Sequence, residues 1–95
     1  MSPVIKKSAS AGSLESNDVL VTIFPGVAGI EIKLHSIVDK QFGKKIRECA
    51  LDVLKSCGID NAVIHIQDMG AIECTIRARI ETAVTRALKE DRNDA

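Results

Sequence analysis

Two serine hydroxyls stand close together in the stretch Gly12-Ser13-Leu14-Glu15-Ser16-Asn17-Asp18, just before the first β-branched run of the chain. A hydroxyl at such a junction is open to a modifying enzyme. It can carry a covalently attached group to several active sites while the rest of the chain stays docked. Tethering of this kind replaces diffusion by a local concentration that reaches the order of millimolar for short flexible links. By composition alone the stretch reads more readily as part of an ordinary disordered serine-rich tail.

Other chemistry is sparse. His35 and His65 fall on outward strand positions, and neither has a Cys, Asp or Glu at a familiar metal spacing. Zinc wants three or four such ligands, so both histidines read as surface residues and no metal site is expected. Asp68 stands beside Met69-Gly70, where a carboxylate is explained by turn chemistry. Gly12, Gly26 and Gly29 are scattered, and none opens a helix after a strand as a phosphate-cradling loop requires. Catalysis by this chain alone is not expected, and no catalytic residue is assigned.

The chain of 95 residues makes one small domain with an aliphatic core, since it holds two Phe and no Trp or Tyr. Its 13 basic and 13 acidic residues cancel, which removes the electrostatic footprint of a nucleic-acid binder. The scarcity of aromatics removes the base-stacking platform as well. No apolar run approaches the roughly 20 residues that cross a bilayer, and Lys6-Lys7 has no secretory hydrophobic segment behind it. Cys49, Cys57 and Cys74 lack C-x-x-C spacing. They read as reduced thiols, two on the core side of a helix and one on an inward strand position, in a cytoplasmic protein.

Residues 1–17 carry Ser2, Ser8, Ser10, Ser13 and Ser16 with few sizeable apolar groups, and read as a flexible arm. Residues 18–90 read as a single α+β domain and residues 91–95 as a frayed tail. Val19, Val21 and Ile23 alternate with Leu20, Thr22 and Phe24, Pro25-Gly26 turns the chain, and Ile30, Ile32 and Leu34 alternate with Glu31, Lys33 and His35. That spacing predicts a hairpin. Ser36 with Asp39 gives a capping box for a helix. Its apolar stripe is Val38, Phe42, Ile46, Cys49, Ala50, Val53, Leu54 and Cys57, and Gly58 stands at its C-terminal cap.

A second hairpin is expected from Ala62, Ile64 and Ile66, the turn Asp68-Met69-Gly70, and a return strand through Ile72, Cys74 and Ile76. The pattern from Ile76 to Leu88 fits strand and helix alike, and the change to helix is placed near Arg77. The expected fold is a two-layer α+β sandwich in ββαββα order, a mainly antiparallel four-stranded sheet covered by two helices. Strand order does not follow from the sequence.

Four blocks taken together resemble the acyl carrier proteins, or γ subunits, of citrate lyases along nearly the whole chain. They are 12–19, beginning Gly12-Ser13-Leu14-Glu15-Ser16; His35-Ser36-Ile37-Val38-Asp39-Lys40-Gln41-Phe42-Gly43; Asp68-Met69-Gly70-Ala71-Ile72-Glu73-Cys74; and Arg77-Ala78-Arg79. Each block alone is weak; their order and spacing are specific.

The resemblance implies that the serine after the Leu-Glu pair, here Ser16, carries 2'-(5''-triphosphoribosyl)-3'-dephospho-CoA through a phosphodiester. Relatives often have a second serine after it, where this chain has Asn17, so Ser13 is the nearest alternative. The resemblance also implies three partners. A prosthetic-group transferase attaches the arm, an α subunit exchanges acetyl for citryl on its thiol, and a β subunit releases oxaloacetate with Mg²⁺. Lys6 and Lys7, or Arg77 and Arg79 facing outward from a strand, are candidates to attract the arm's phosphates, and Glu15 and Asp18 are candidates for recognition by the transferase. The acyl carrier of malonate decarboxylase, and an unmodified scaffold whose serine tail is incidental, are the competing readings. A phosphopantetheine carrier is disfavoured, because those are helical bundles and this chain reads as half β.

Overall fold

Strict alternation builds the centre of the sheet. The computed structural model describes residues 3–37 and 40–89. Strand β2 (Val19–Pro25) turns Val19, Val21 and Ile23 inward, all at 0% exposure, and β4 (Ala62–Asp68) does the same with Ala62, Ile64 and Ile66. The two pair antiparallel, with Val21 opposite Ile66 and Ile23 opposite Ile64. Strand β3 (Ile30–Ser36) lies on the other side of β4 and runs parallel to it. Strand β1 (Ala9–Gly12) completes the order β1-β2-β4-β3 by pairing antiparallel with β2.

One face of this sheet is covered by two helices. Helix α1 (Lys40–Ser56) buries Ile46, Cys49, Ala50, Val53 and Leu54, the three- and four-residue stripe read from the sequence. It ends in a Schellman motif: the Gly58 amide donates to the Lys55 carbonyl at 3.0 Å and the Ile59 amide to Leu54 at 2.9 Å. Gly58 takes φ +74°, which glycine adopts without steric cost. Helix α2 (Glu73–Leu88) buries Ile76, Ile80, Ala83, Val84 and Ala87 and packs on β1, β2 and α1. None of the described helices is long and apolar enough to cross a membrane.

The two-layer α+β class, with four strands mostly antiparallel and two helices, is as read, but its elements come in the order β-β-β-α-β-α. The expected flexible arm over 1–17 is corrected at 9–12, which form β1. Ala9 and Ala11 face inward there, Ser10 faces out, and Ile5 is sunk in the core at 3% exposure. Small side chains suit this edge strand, because α2 packs close against it and the Arg86 guanidinium donates to the Ser10 carbonyl at 2.8 Å.

The predicted first hairpin is also corrected. Strand β4 lies between β2 and β3, so β3, α1 and β4 form a crossover unit instead. Like β2, β4 has a neighbour on each side, and its unbroken inward row of Ala62, Ile64 and Ile66 is fully buried.

The predicted return strand through Ile72, Cys74 and Ile76 is helical from Glu73, and Cys74 is exposed rather than inward. Between the two periods the helical one wins, because it places Ile76, Ile80, Ala83, Val84 and Ala87 on one buried face. Ser36 is the last residue of β3 and does not open the helix. Val38, the capping partner Asp39 and the tail at 91–95 lie outside the described residues.

Candidate functional site

The loop 13–18 joins β1 to β2 as the connection of a true hairpin. Gly12 enters it at φ +98°, and a Cβ there would run into the Val19 carbonyl oxygen, so only glycine fits. Inside the loop the Asp18 amide donates to the Glu15 carbonyl at 3.1 Å, which closes a four-residue turn with Ser16 and Asn17 at its centre. Asn17 has φ +66° and is the only non-glycine among the described residues in the positive region. A turn with positive φ at its third position only is type II, which asks for Gly or Asn there. Asn17 therefore suits the bend better than a serine would.

The turn is latched to the sheet. The Asn17 amide donates to the Met69 carbonyl at 2.8 Å and the Met69 amide to the Asp18 carbonyl at 2.9 Å, which carries the β2–β4 ladder past its end. Asp18 is the hub. Its carboxylate accepts from the Ser13 hydroxyl at 2.7 Å, from the Val19 amide at 2.7 Å, and from Arg79 Nε and Nη2 at 3.1 Å each. The Ser13 oxygen also accepts the Glu15 amide at 3.2 Å, so that hydroxyl is used in both directions.

Ser16 differs from Ser13, the other hydroxyl of the loop. It is exposed at the tip of the turn, and it makes no hydrogen bond among the described residues.

Four donors favour the charged form of Asp18. The Ser13 hydroxyl foremost, then Arg79 and the Val19 amide, push its carboxyl down to about 2 from the ordinary 3.8. A group held below its unfolded value stabilises the fold above about pH 4, and that stabilisation is lost as pH falls through about 2. A carbon-13 titration of the Asp18 carboxyl is expected to show a midpoint near 2; a midpoint near 3.8 would mean the hub does not form in solution.

Of the other sequence candidates outside the loop, only Arg79 reaches the turn, through Asp18. Arg77 and Arg79 stand on α2, not on a strand, and Arg77 is paired with Asp52 of α1 at 2.9 Å. Lys6 is exposed and Lys7 is half-buried. Glu15 is exposed beside Ser16, whereas Asp18 is committed to the hub. His35 is exposed, and His65 lies against Phe24 with ring centroids 4.9 Å apart. No group of three metal-ligating side chains occurs among the described residues.

Cys49 and Cys57 are free thiols, and burial pushes both pKa values up. Asp68 is 1% exposed and accepts the Ala71 amide at 3.0 Å, the turn role expected of it. It also accepts the Ser36 hydroxyl at 2.9 Å, tying the ends of β3 and β4 together beside the 13–18 loop. Sequence reasoning missed that bond and the Asp18–Arg79 pair, which spans 61 positions.

Residues 6–87 match the ACP family model, described as malonate decarboxylase delta subunit (MdcD). Citrate lyase acyl carrier protein of Latilactobacillus sakei is 48% identical over 88 residues, covering 92% of this chain and 87% of that protein. The protein of the same name from Streptococcus mutans is 50% identical over 84 residues, covering 87% and 82%. That of Halothermothrix orenii is 42% identical over 85 residues, covering 90% of each. A chain in the crystal structure of a Pseudomonas malonate decarboxylase hetero-tetramer has the same fold. It superimposes with a TM-score of 0.76 over 90% of this chain and 89% of that one, at 21% identity. With sequence likeness of this extent, the chain belongs to the citrate lyase acyl carrier protein family.

Proposed function

We propose that this chain is the acyl carrier subunit of a citrate lyase and that Ser16 is the point where its CoA-like group is attached. One observation carries the assignment. Ser16 is an exposed hydroxyl with no hydrogen bond among the described residues, at the tip of a turn whose other hydroxyl, that of Ser13, is committed to Asp18 and Glu15. Ser13, the alternative, has its hydroxyl engaged with Asp18 and Glu15.

The residues fit the group that the family implies, 2'-(5''-triphosphoribosyl)-3'-dephospho-CoA. A primary hydroxyl in solvent accepts a phosphodiester without breaking an internal bond. When bound, the group supplies a thiol that holds acyl units as thioesters. What the protein itself supplies is placement. The bonds of Met69 with Asn17 and Asp18 fix the base of the turn to the end of β4, so the tether starts from a rigid sheet end. Arg79 neutralises Asp18 and so reduces the repulsion that a phosphodiester two residues away would meet. The acidic and apolar residues near Ser16 do no bond-making, and the chemistry falls to partner subunits: an α subunit with acyl transferase activity and a β subunit with citryl lyase activity. Free cysteine thiols suit a cytoplasmic setting for such a complex.

The fold match to a malonate decarboxylase chain and the wording of the family model support a second reading, the carrier of that enzyme. Identities of 42% to 50% to citrate lyase carriers favour the first. Reconstitution separates them. The chain carrying its group is expected to restore citrate cleavage when mixed with citrate lyase α and β subunits, and to leave malonate decarboxylase subunits inactive. Activity with malonate alone would reverse the assignment.

A further inference from the structure

Arg79 reaches the attachment turn from a distant element. It belongs to α2, yet its guanidinium grips Asp18 with two donors, Nε to Oδ1 and Nη2 to Oδ2, both at 3.1 Å. Its stem crosses the mouth of the hairpin, since a Cβ built on Gly12 would lie 3.3 Å from Arg79 Cδ. The Asp18 side chain is 16% exposed and that of Arg79 is 41% exposed, so the pair sits partly out of water. A bidentate fork fixes orientation as well as distance. Asp18 passes that orientation on: its carboxylate also holds the Ser13 hydroxyl, and its backbone closes the turn with Glu15 and the latch with Met69. Ser13 and Asp18 bracket Ser16 on both sides.

We propose that Arg79 is a positioning residue for group attachment: through Asp18 it holds the 13–18 turn in the one shape in which the transferase meets the Ser16 hydroxyl. The inference rests on the reading of Ser16 as the attachment point. In the attachment itself, Ser16 Oγ forms a bond to phosphorus and a phosphoanhydride bond of the triphosphate donor breaks. Pyrophosphate leaves, and the hydroxyl proton goes to solvent. Arg79 touches none of these atoms. Its effect is on the fraction of carrier molecules whose turn is correctly shaped, and a reduced competent fraction raises apparent KM in inverse proportion.

The test uses the full unmodified chain, its prosthetic-group transferase and the triphosphoribosyl-dephospho-CoA donor, with kcat and KM for the carrier measured separately. Arg79→Met keeps the stem and removes the fork. It is expected to raise KM about tenfold with kcat nearly unchanged, because only the competent fraction falls. Arg79→Lys, with a point charge in place of the fork, is expected to recover part of the loss. Amide hydrogen exchange at Asn17 and Asp18 is expected to quicken about tenfold in the Met variant while β4 stays protected.

Wild-type KM in Arg79→Met, or unchanged exchange in the turn, would overturn the proposal. If the Met variant does not fold, the Lys variant decides: a KM raised above wild type with kcat unchanged supports positioning and a wild-type KM overturns it. Modification of Ser16→Ala at the wild-type rate would instead remove the attachment reading. The exchange measurement would still report on the Arg79 grip by itself.

Discussion

Ser16→Ala is expected to abolish attachment while leaving the fold intact. Co-expressed with its transferase, the variant should retain the mass of the bare chain, and the lyase complex built with it should cleave citrate at background rate. The effect is large because the loss is of the tether, not of one contact: without it the local concentration, on the order of millimolar, falls to nothing. The side chain removed is exposed and makes no hydrogen bond among the described residues, so stability should change by less than about 0.5 kcal/mol. Ser13→Ala is the informative contrast. It removes the donor that does most to hold the Asp18 carboxyl down, yet keeps the attachment hydroxyl. Attachment should persist in it, slowed to the extent that the turn loosens. Loss of the adduct from the Ser13 variant and not from the Ser16 variant would exchange the roles of the two serines.

The largest stability effect is expected at Ile64. It is 0% exposed in β4, opposite Ile23 on one side and Ile32 on the other, with both helices above the same face. Ile64→Ala removes three carbons from a close-packed site and leaves a cavity, at about 2–5 kcal/mol. Domains of this size have a total stability of about 5–14 kcal/mol, so from about a seventh of the margin to nearly all of it goes with one side chain. Urea denaturation should show the midpoint falling in proportion with the slope unchanged. Ile64→Val should cost only about 0.5–1.5 kcal/mol. An alanine variant within about 1 kcal/mol of wild type would contradict the central position of β4 in the sheet.

What the sequence disclosed depended on how local the determining forces are. Helix α1 was legible because its stripe from Ile46 to Leu54 and its Gly58 terminator are set by neighbours a turn apart. Strands β2 and β4 were legible from their two-residue alternation. Strand β1 was not, because Ala9, Ser10 and Ala11 have no strand preference of their own. They become a strand because β2 offers an open edge and α2 packs onto small side chains there. The segment after Gly70 satisfied two periods at once, and packing of Ile76, Ile80 and Val84 against the sheet decided it.

The placing of β4 between β2 and β3 is a non-local pairing that no short window contains. The candidate site divides the same way. Ser16 was named from a resemblance carried by its local motif, whereas the grip of Arg79 on Asp18 joins residues 61 apart and required α2 to be a helix first.

Intact mass of the protein purified from its own host, followed by peptide fragmentation of any adduct, tests the central claim most directly. The account predicts a mass increase equal to the intact triphosphoribosyl-dephospho-CoA donor less pyrophosphoric acid, localised to Ser16. A bare chain recovered from a host whose citrate lyase is active, or an adduct on Ser13 or any other residue, would contradict it.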